Sequence, residues 1–165
     1  MKIAVIGCGR WGSFIAWYLD KIGNEVTLYG RESSEKMKNF LETRKNNFLE
    51  LPKSISLTTD IKDVFDKDLI IISVGTQGLR DLLNKNKALF KEKNIPIILC
   101  MKGIEIKTGF TPTKIVKDIL GENYSCGAWI GPGHVQDFTN GIPNCMVIDS
   151  DDRELVKKLV DSFSS

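Results

Sequence analysis

The sequence predicts an α/β fold, a doubly wound and mainly parallel sheet with helices on both faces. Short apolar runs alternate along the chain with segments whose apolar side chains recur at helical spacing. The run 69–74 is apolar at nearly every position, as expected of a strand that is covered on both faces. A glycine-rich loop directly follows the first apolar run, which is typical of how such folds begin.

The bulk composition fits a single folded domain, predicted here as 1–165. The chain has 165 residues with 23 Lys+Arg against 21 Asp+Glu, so its net charge is +2, and 42% of it is hydrophobic. That balance excludes a disordered chain and gives no reason to expect a nucleic-acid partner. The apolar runs are far shorter than the about 20 residues that a membrane helix needs, so no membrane span is expected.

The first third of the chain predicts two strand–helix units. Apolar residues 3–6 form the first strand, and residues 14–22 form a helix that ends at a Gly-Asn pair. Residues 26–29 form the second strand, which a glycine ends. The polar stretch 33–46 is helix-prone, with its few apolar residues on one side.

The middle of the chain contains the strongest strands. A weak strand is predicted at 55–57 and a short helix at 60–65, where an aspartate supplies the cap. The strand 69–74 is followed by a helix over 78–90, because leucines recur there at helical spacing. Residues 97–100 form another buried strand.

The last third continues the alternation. A helix over 113–120 ends at a glycine, and residues 125–130 form a strand that leads into a Gly-Pro-Gly loop. Residues 145–148 form a further strand, and 153–163 form the closing helix.

The loop Gly7–Gly12 has the spacing G-x-G-x-x-G between a strand and a helix, the context that gives this motif its meaning. Gly7 allows the tight turn, Gly9 lets the backbone approach a pyrophosphate, and Gly12 lets the helix pack closely on the sheet. The unpaired N–H groups of the helix N-terminus favour phosphate. Arg10 either adds charge near phosphate or is solvated, and Trp11 either covers the cofactor or packs on the sheet. The motif predicts a Rossmann-type fold that binds NAD or NADP.

The tip of the second strand bears on the choice between the two dinucleotides. Arg31 follows Tyr29-Gly30 there, with two serines behind it, and a guanidinium suits a 2′-phosphate. Glu32 would accept from a ribose 2′-OH if it turned inward, but as a first-turn acid it would also favour the helix dipole. The residues therefore lean towards NADP.

Two further strand ends carry polar residues at the same edge of the predicted sheet. Thr76 and Gln77 either contact the nicotinamide side or simply begin the next helix. Lys102 is either a group that holds an anionic substrate or polarises a carbonyl, or an ordinary surface lysine. His134, the only histidine, is either an acid/base group or a helix-start residue.

The four cysteines have no metal-ligand or redox spacing, so no metal site is expected. Cys8 and Cys100 lie in or beside strand-like runs, which predicts small buried thiols in a reducing cytoplasm.

Several motifs in order resemble the bacterial NAD(P)-dependent glycerol-3-phosphate dehydrogenases. They are GCGRWG, the YGR strand tip, SVGTQGLRDLL, MKGIEIKTG and IGPGHVQDFTNGIP. The resemblance implies hydride transfer between NAD(P)H and the pair dihydroxyacetone phosphate and sn-glycerol 3-phosphate, in the service of phospholipid synthesis. It implies that Trp11, Arg31 and Val135 contact the cofactor, that Lys102 touches cofactor and substrate, and that Gly131 and Gly133 belong to the substrate loop.

The chain also departs from the family pattern. Ile130 stands where the family usually has Ser, and Gly133 where it usually has Ser or Thr. Val135 replaces an Ala, and Asp137 a Glu, that are common in the family. The family carries a helical C-terminal domain that supplies the proton-transfer lysine. That domain is expected to be absent from this chain, so the chain alone should bind cofactor and turn over poorly. A homodimer is expected only of a full-length protein.

Two other functions remain open from the residues alone. One is a dinucleotide-binding regulatory module without catalysis, and the other is a ketopantoate or hydroxyacid-type reductase domain. The KGIE and GPGH pieces disfavour the second of these.

Overall fold

The structure is a computed structural model that describes residues 1–142 and 145–164. In that part of the chain seven strands form one sheet. The strands are β1 Lys2–Ile6, β2 Glu25–Tyr29, β3 Ser56–Thr58, β4 Leu69–Ile72, β5 Ile97–Leu99, β6 Cys126–Ile130 and β7 Val147–Ser150. The helices are α1 Arg10–Lys21, α2 Glu35–Thr43, α3 Thr76–Lys85, α4 Lys87–Lys93, α5 Pro112–Leu120, α6 Val135–Thr139 and α7 Arg153–Phe163, with a 3₁₀ turn at Ile61–Val64.

The strand order is β3-β2-β1-β4-β5-β6-β7, and every pairing is parallel except that of β6 with β7. The chain leaves β1 in one direction and returns through β4 on the other side, so the strand order reverses between these two strands. Ligands bind at such a reversal, beyond the carboxyl ends of the strands. The predicted fold class is confirmed.

The sheet is buried on both faces. Val5 and Ile71 face one apolar layer, which α1, α2 and α7 cover, whereas Ile6 and Ile72 face a second layer under α3, α4 and α5. This two-sided burial explains why β4 reads as a continuous apolar run instead of an alternating one.

One face of the molecule is rich in aromatic rings. Ring centroids 4.9–6.3 Å apart connect α1 with β6, α6 and α7. This aromatic face consists of Trp11, Phe14, Trp17, Tyr18, Trp129, Phe138 and Phe163. An apolar groove of about 620 Å³ opens on it. Within the described residues, no helix combines the length and apolarity needed to cross a membrane.

Several element bounds differ from those predicted. Helix α1 begins at Arg10, four residues early, because Gly9 in extended conformation already serves as its cap. The predicted helix 78–90 begins at Thr76 and is broken at Asn86, whose φ of −117° and ψ of 15° end α3 before α4 starts. The side chain of Asn86 donates to the Leu82 carbonyl at 2.8 Å, which stabilises the break.

Helix α2 is shorter than predicted, since Ser34 caps its start and Arg44 ends it with a φ of +57°. The guanidinium of Arg44 donates to the carbonyls of Leu51, Pro52 and Ile55 at 2.5–3.1 Å. One side chain thus shapes the segment between α2 and β3, which has no regular structure that the sequence could reveal.

The end of the chain also differs. Strand β7 lies at Val147–Ser150, two residues later than predicted, and runs antiparallel to β6. Helix α6 was not predicted as an element. Pro143 of the GPGH…GIP motif and Ser165 at the end of the predicted domain lie outside the described residues.

Candidate functional site

The glycine loop leaves no room for side chains at two of its three glycines. Gly7 has a φ of +112°, and a Cβ on it would lie 2.5 Å from the Ser73 carbonyl oxygen. A Cβ on Gly12 would overlap the carbonyl oxygen of Gly7. The loop is therefore pressed against the ends of β1 and β4, and α1 packs directly on the turn that precedes it.

Gly9 is different, because a Cβ on it would meet no protein atom within 4 Å. It is the cap residue of α1. Among the residues that the structure describes, no side chain accepts from the first N–H groups of the helix, and its first turn contains no acid. The helix therefore presents uncapped donors and its positive dipole end to an open space beside the loop. That arrangement fits a phosphate group.

Arg10 and Trp11 both make contacts within the protein. The Arg10 guanidinium lies 4.2 Å from the centre of the Phe48 ring and donates to the Gln136 side chain. It thereby connects the glycine loop to the turn after α2 and to α6. The Trp11 ring packs against Phe14 and Phe138 in the aromatic face.

At the tip of β2 the chain passes very close to the glycine loop. A Cβ on Gly30 would lie 2.7 Å from the Cys8 sulfur, so only glycine fits there. Arg31 and Glu32 beyond it are both exposed, whereas the Ser34 hydroxyl accepts from the Met37 N–H and caps α2. A groove of about 330 Å³ runs between the glycine loop and α2. Its walls include Cys8, Arg10, Lys36, Asn39, Asn46 and Phe48.

The first turn of α3 holds the segment that carries Lys102. We call this segment, residues 101–110, the Lys102 loop. Thr76 Oγ1 donates to the Lys102 carbonyl at 3.0 Å. Gln77 donates to the Ile104 carbonyl at 2.9 Å and accepts from the Ile106 N–H at 3.1 Å. Thr76 and Gln77 therefore begin a helix, which was one of the two interpretations that the sequence allowed. They also bind the backbone of this loop.

The Lys102 side chain itself is exposed, and in residues 1–142 and 145–164 its ammonium has no hydrogen-bond or ion-pair partner. It follows β5, the strand next to β4, so it lies at the same edge of the sheet as the glycine loop. A cation left unpaired at this edge can hold an anion or polarise a carbonyl.

Sequence reasoning missed a second anchor of the Lys102 loop. Glu105 is only 5% exposed, and both of its oxygens accept from the Arg80 guanidinium at 2.9–3.1 Å. Thr108 also donates to Glu105, and Arg80 reaches Asp118 at 2.6 Å. The hydrogen bonds from Arg80 hold the pKa of Glu105 below its usual value, so the carboxylate stays charged. The signal available in the sequence was a lone acid within the KGIE piece and an arginine on the predicted helix 78–90.

The third strand-end loop follows β6. A Cβ on Gly131 would lie 2.7 Å from the Cys145 carbonyl oxygen, so this glycine is required by close packing. His134 is exposed and stands at the start of α6, where its carbonyl accepts from the Asp137 N–H at 3.0 Å. Val135 is buried, and Gly133 before it is half-buried.

Cys8, Cys100 and Cys126 are buried and Cys145 is exposed. Burial raises the pKa of the Cys100 thiol, and it raises that of Cys126 to about 11, so both stay protonated near neutral pH. Among the described residues no group of three His, Cys, Asp or Glu side chains could hold a metal ion.

Comparison with known proteins gives a family match over residues 2–156, to the family described as NAD-dependent glycerol-3-phosphate dehydrogenase N-terminus. Among its relatives, a glycerol-3-phosphate dehydrogenase [NAD(P)+] of Thermoanaerobacter sp. (strain X514) is 29% identical over 99% of this chain and 49% of its own length. One from Neisseria meningitidis is 28% identical over 100% of this chain and 51% of its own length.

The crystal structure of glycerol-3-phosphate dehydrogenase from Coxiella burnetii superposes with a TM-score of 0.85 at 21% identity. The match covers 99% of this chain and 51% of that one, and it shows that the two share a fold. This chain spans about half the length of the relatives that it matches.

Proposed function

The chain belongs to the family of NAD-dependent glycerol-3-phosphate dehydrogenase N-termini, and from that premise we propose that it binds NAD or NADP for this reaction. The reaction is hydride transfer between NAD(P)H and the pair dihydroxyacetone phosphate and sn-glycerol 3-phosphate. One observation carries the proposal. Within the described part of the chain, the open space at Gly9 lies at an uncapped helix N-terminus, and Lys102 stands unpaired at the same sheet edge.

The proposed cofactor contacts follow the chain's own geometry. The N–H groups of the first turn of α1 would bind the pyrophosphate, and Arg31, exposed at the tip of β2, would bind a 2′-phosphate. We propose NADP as the preferred form on the strength of Arg31. When bound, the nicotinamide supplies the hydride. Lys102 would hold the substrate anion and polarise its carbonyl, which favours the charge that develops on the oxygen.

Trp11, Val135, Gly131 and Gly133 keep the roles that the resemblance gives them only as proposals. The packing of Trp11 in the aromatic face and the burial of Val135 mean that any cofactor contact there would come through their backbone or one edge of the ring. Gly131 is needed for packing whether or not substrate binds beside it.

We propose that residues 1–165 act as the dinucleotide-binding domain and that turnover needs a helical domain as well. The twofold greater length of the relatives supports this division. A homodimer of the full-length protein is part of the same proposal. Burial of three of the four thiols supports a reducing, cytoplasmic setting.

A titration with NADPH and NADH tests the cofactor site. Gly9→Ala adds a methyl group where no protein atom lies, so the fold should be unchanged while the phosphate is kept at a distance. We expect the dinucleotide Kd to rise about tenfold or more, equivalent to the loss of one good contact. Gly78→Ala is the matched control, because its added Cβ also meets nothing within 4 Å and Gly78 is not part of the glycine loop. Failure of the unaltered chain to bind either dinucleotide would contradict the proposal.

Two further measurements test cofactor preference and catalysis separately. Arg31→Ala should raise the Kd for NADPH about tenfold while leaving that for NADH nearly unchanged, since a charge-assisted contact is lost only with the 2′-phosphate.

Reduction of dihydroxyacetone phosphate is then assayed with the helical domain of a relative supplied. Binding without activity under those conditions would favour the regulatory module, and full activity of a Lys102→Ala variant would remove Lys102 from the site.

A further inference from the structure

The Lys102 loop contains two lysines, Lys102 and Lys107, and a single acid, Glu105. We infer that Arg80 is a positioning residue for Lys102. By pairing with Glu105 from outside the loop, Arg80 leaves the Lys102 ammonium available to an anionic ligand at the carboxyl edge of the sheet. The inference rests on the proposed function, because the phosphorylated substrate is the anion that Lys102 would hold.

Groups other than Lys102 bind both oxygens of the Glu105 carboxylate. Arg80 Nε lies 2.9 Å and 3.1 Å from the two carboxylate oxygens, and Nη2 lies 3.0 Å from one of them. Thr108 donates to that same oxygen. With only 5% of the residue exposed, Glu105 has its charge matched and its acceptors occupied. It therefore offers little attraction to Lys102, three residues before it.

The backbone of the Lys102 loop is held by groups outside this ion pair. Thr76 binds the carbonyl of Lys102 itself, and Gln77 binds the main chain at Ile104 and Ile106. These bonds involve neither Arg80 nor Glu105. Substitution of the ion pair should therefore change the charge beside Lys102 while most of the loop's hydrogen bonds remain.

Loss of Arg80 would leave the Glu105 carboxylate without the guanidinium that matches its charge. A carboxylate without its partner, in the same loop as Lys102, would attract the ammonium and compete with an incoming anion. Arg80 also bonds to Asp118, and that second acid would equally lose its partner. Removal of Glu105 alone has the opposite character, since it takes away the competing charge and leaves Arg80 in place.

The test follows the Lys102 amine by NMR, using the full chain with ¹³C-dimethylated lysines, whose positive charge is retained. The Lys102 signal is assigned from a Lys102→Arg variant, and inorganic phosphate is the probe. We expect a saturable response of Lys102, weakened about threefold in Arg80→Gln, which is within the range of one partly exposed ion pair. The double variant Arg80→Gln/Glu105→Gln should bind phosphate more tightly than Arg80→Gln, because only Asp118, outside the loop, is then left without Arg80. Glu105→Gln alone should not weaken phosphate binding.

The control is Glu122→Gln, which removes the acid from the exposed Lys114–Glu122 pair and should leave the Lys102 response unchanged. Each variant is first checked by thermal unfolding. If Arg80→Gln does not fold, Arg80→Lys replaces it, with a smaller expected loss because an ammonium cannot bind both oxygens in the same way. The inference is overturned if Lys102 shows no response to phosphate, if Arg80→Gln binds phosphate as tightly as the unaltered chain, if the double variant binds it no more tightly than Arg80→Gln, or if folded Glu105→Gln loses affinity.

A parallel titration with NADPH keeps this result separate from the proposed function. Normal NADPH binding with no phosphate response at Lys102 would refute the role of Arg80 and leave the cofactor proposal standing. If Lys102 responds to phosphate with the predicted order of affinities among the variants, but the chain binds no dinucleotide, the positioning role of Arg80 is supported and the cofactor proposal is refuted.

Discussion

Replacement of Gly12 by alanine gives the sharpest test of the packing between α1 and the glycine loop. Glycine inside a helix costs about 1 kcal/mol relative to alanine, so helix propensity alone predicts that Gly12→Ala stabilises the protein. The structure predicts the reverse. The added Cβ would overlap the Gly7 carbonyl oxygen and lie 3.2 Å from the Ser73 Cβ.

The Gly7 carbonyl cannot easily move away, because the Gly7 N–H is bonded to the Tyr29 carbonyl at 2.9 Å and its φ is already +112°. Overpacking of this kind usually costs about 1–3 kcal/mol, and a clash with backbone stands at the upper end. After the gain in propensity is subtracted, we expect Gly12→Ala to lower the free energy of unfolding by about 1–2 kcal/mol.

Urea denaturation followed by far-ultraviolet circular dichroism measures this free energy. Gly78→Ala is again the matched control, since Gly78 is the third residue of α3 as Gly12 is of α1, and its added Cβ meets nothing within 4 Å. That control should gain up to about 1 kcal/mol. If Gly12→Ala is as stable as the unaltered chain or more stable, the close approach of α1 to the loop is refuted.

Three further predictions concern stability. Arg44→Ala leaves three backbone carbonyls of the segment 51–55 without their charged donor, so we expect a loss of about 1–3 kcal/mol in urea denaturation, with Arg44→Lys intermediate. Tyr124→Phe removes a buried hydroxyl that donates at 2.8 Å and 3.3 Å to two carbonyls, which should cost about 1 kcal/mol; an unchanged melting temperature would contradict it. The pKa of Glu105 is lowered from 4.5 in the folded state by Arg80, so its stabilisation is complete above that value and is lost as the pH falls below it. Stability measured from pH 6 down to pH 2 should therefore fall less steeply in Glu105→Gln than in the unaltered chain.

Much of the fold followed from the sequence because its strands are buried on both faces. The run 69–74 could be recognised without any knowledge of its neighbours, since a covered strand must be apolar at every position. The break at Asn86 could not, because leucine spacing continues across it and only the local backbone ends the helix. The antiparallel direction of β7 could not be recognised either, because its own four residues are compatible with both directions.

In the candidate site too, some residues could be predicted from a local motif, and others depend on contacts between distant parts of the chain. The roles of Gly7 and Gly12 in the turn follow from a local motif, and the contacts beneath them agree. The contacts of Thr76 and Gln77 do not follow from a local motif, because their partners lie 26 to 29 residues further along the chain. These partners become neighbours only through the parallel pairing of β4 with β5. The pairing of Arg80 with Glu105 spans 25 residues and was missed for that reason.

The aromatic face determines what an optical experiment on this protein can see. All three tryptophans, Trp11, Trp17 and Trp129, belong to it, on one side of the sheet. The layer on the opposite side contains Tyr124 and Tyr29 and no tryptophan among its described members. Tryptophan emission therefore reports on the half of the molecule around α1 and α7. Loosening of the half that carries α3 and the Lys102 loop would be seen only in tyrosine signals or backbone dichroism.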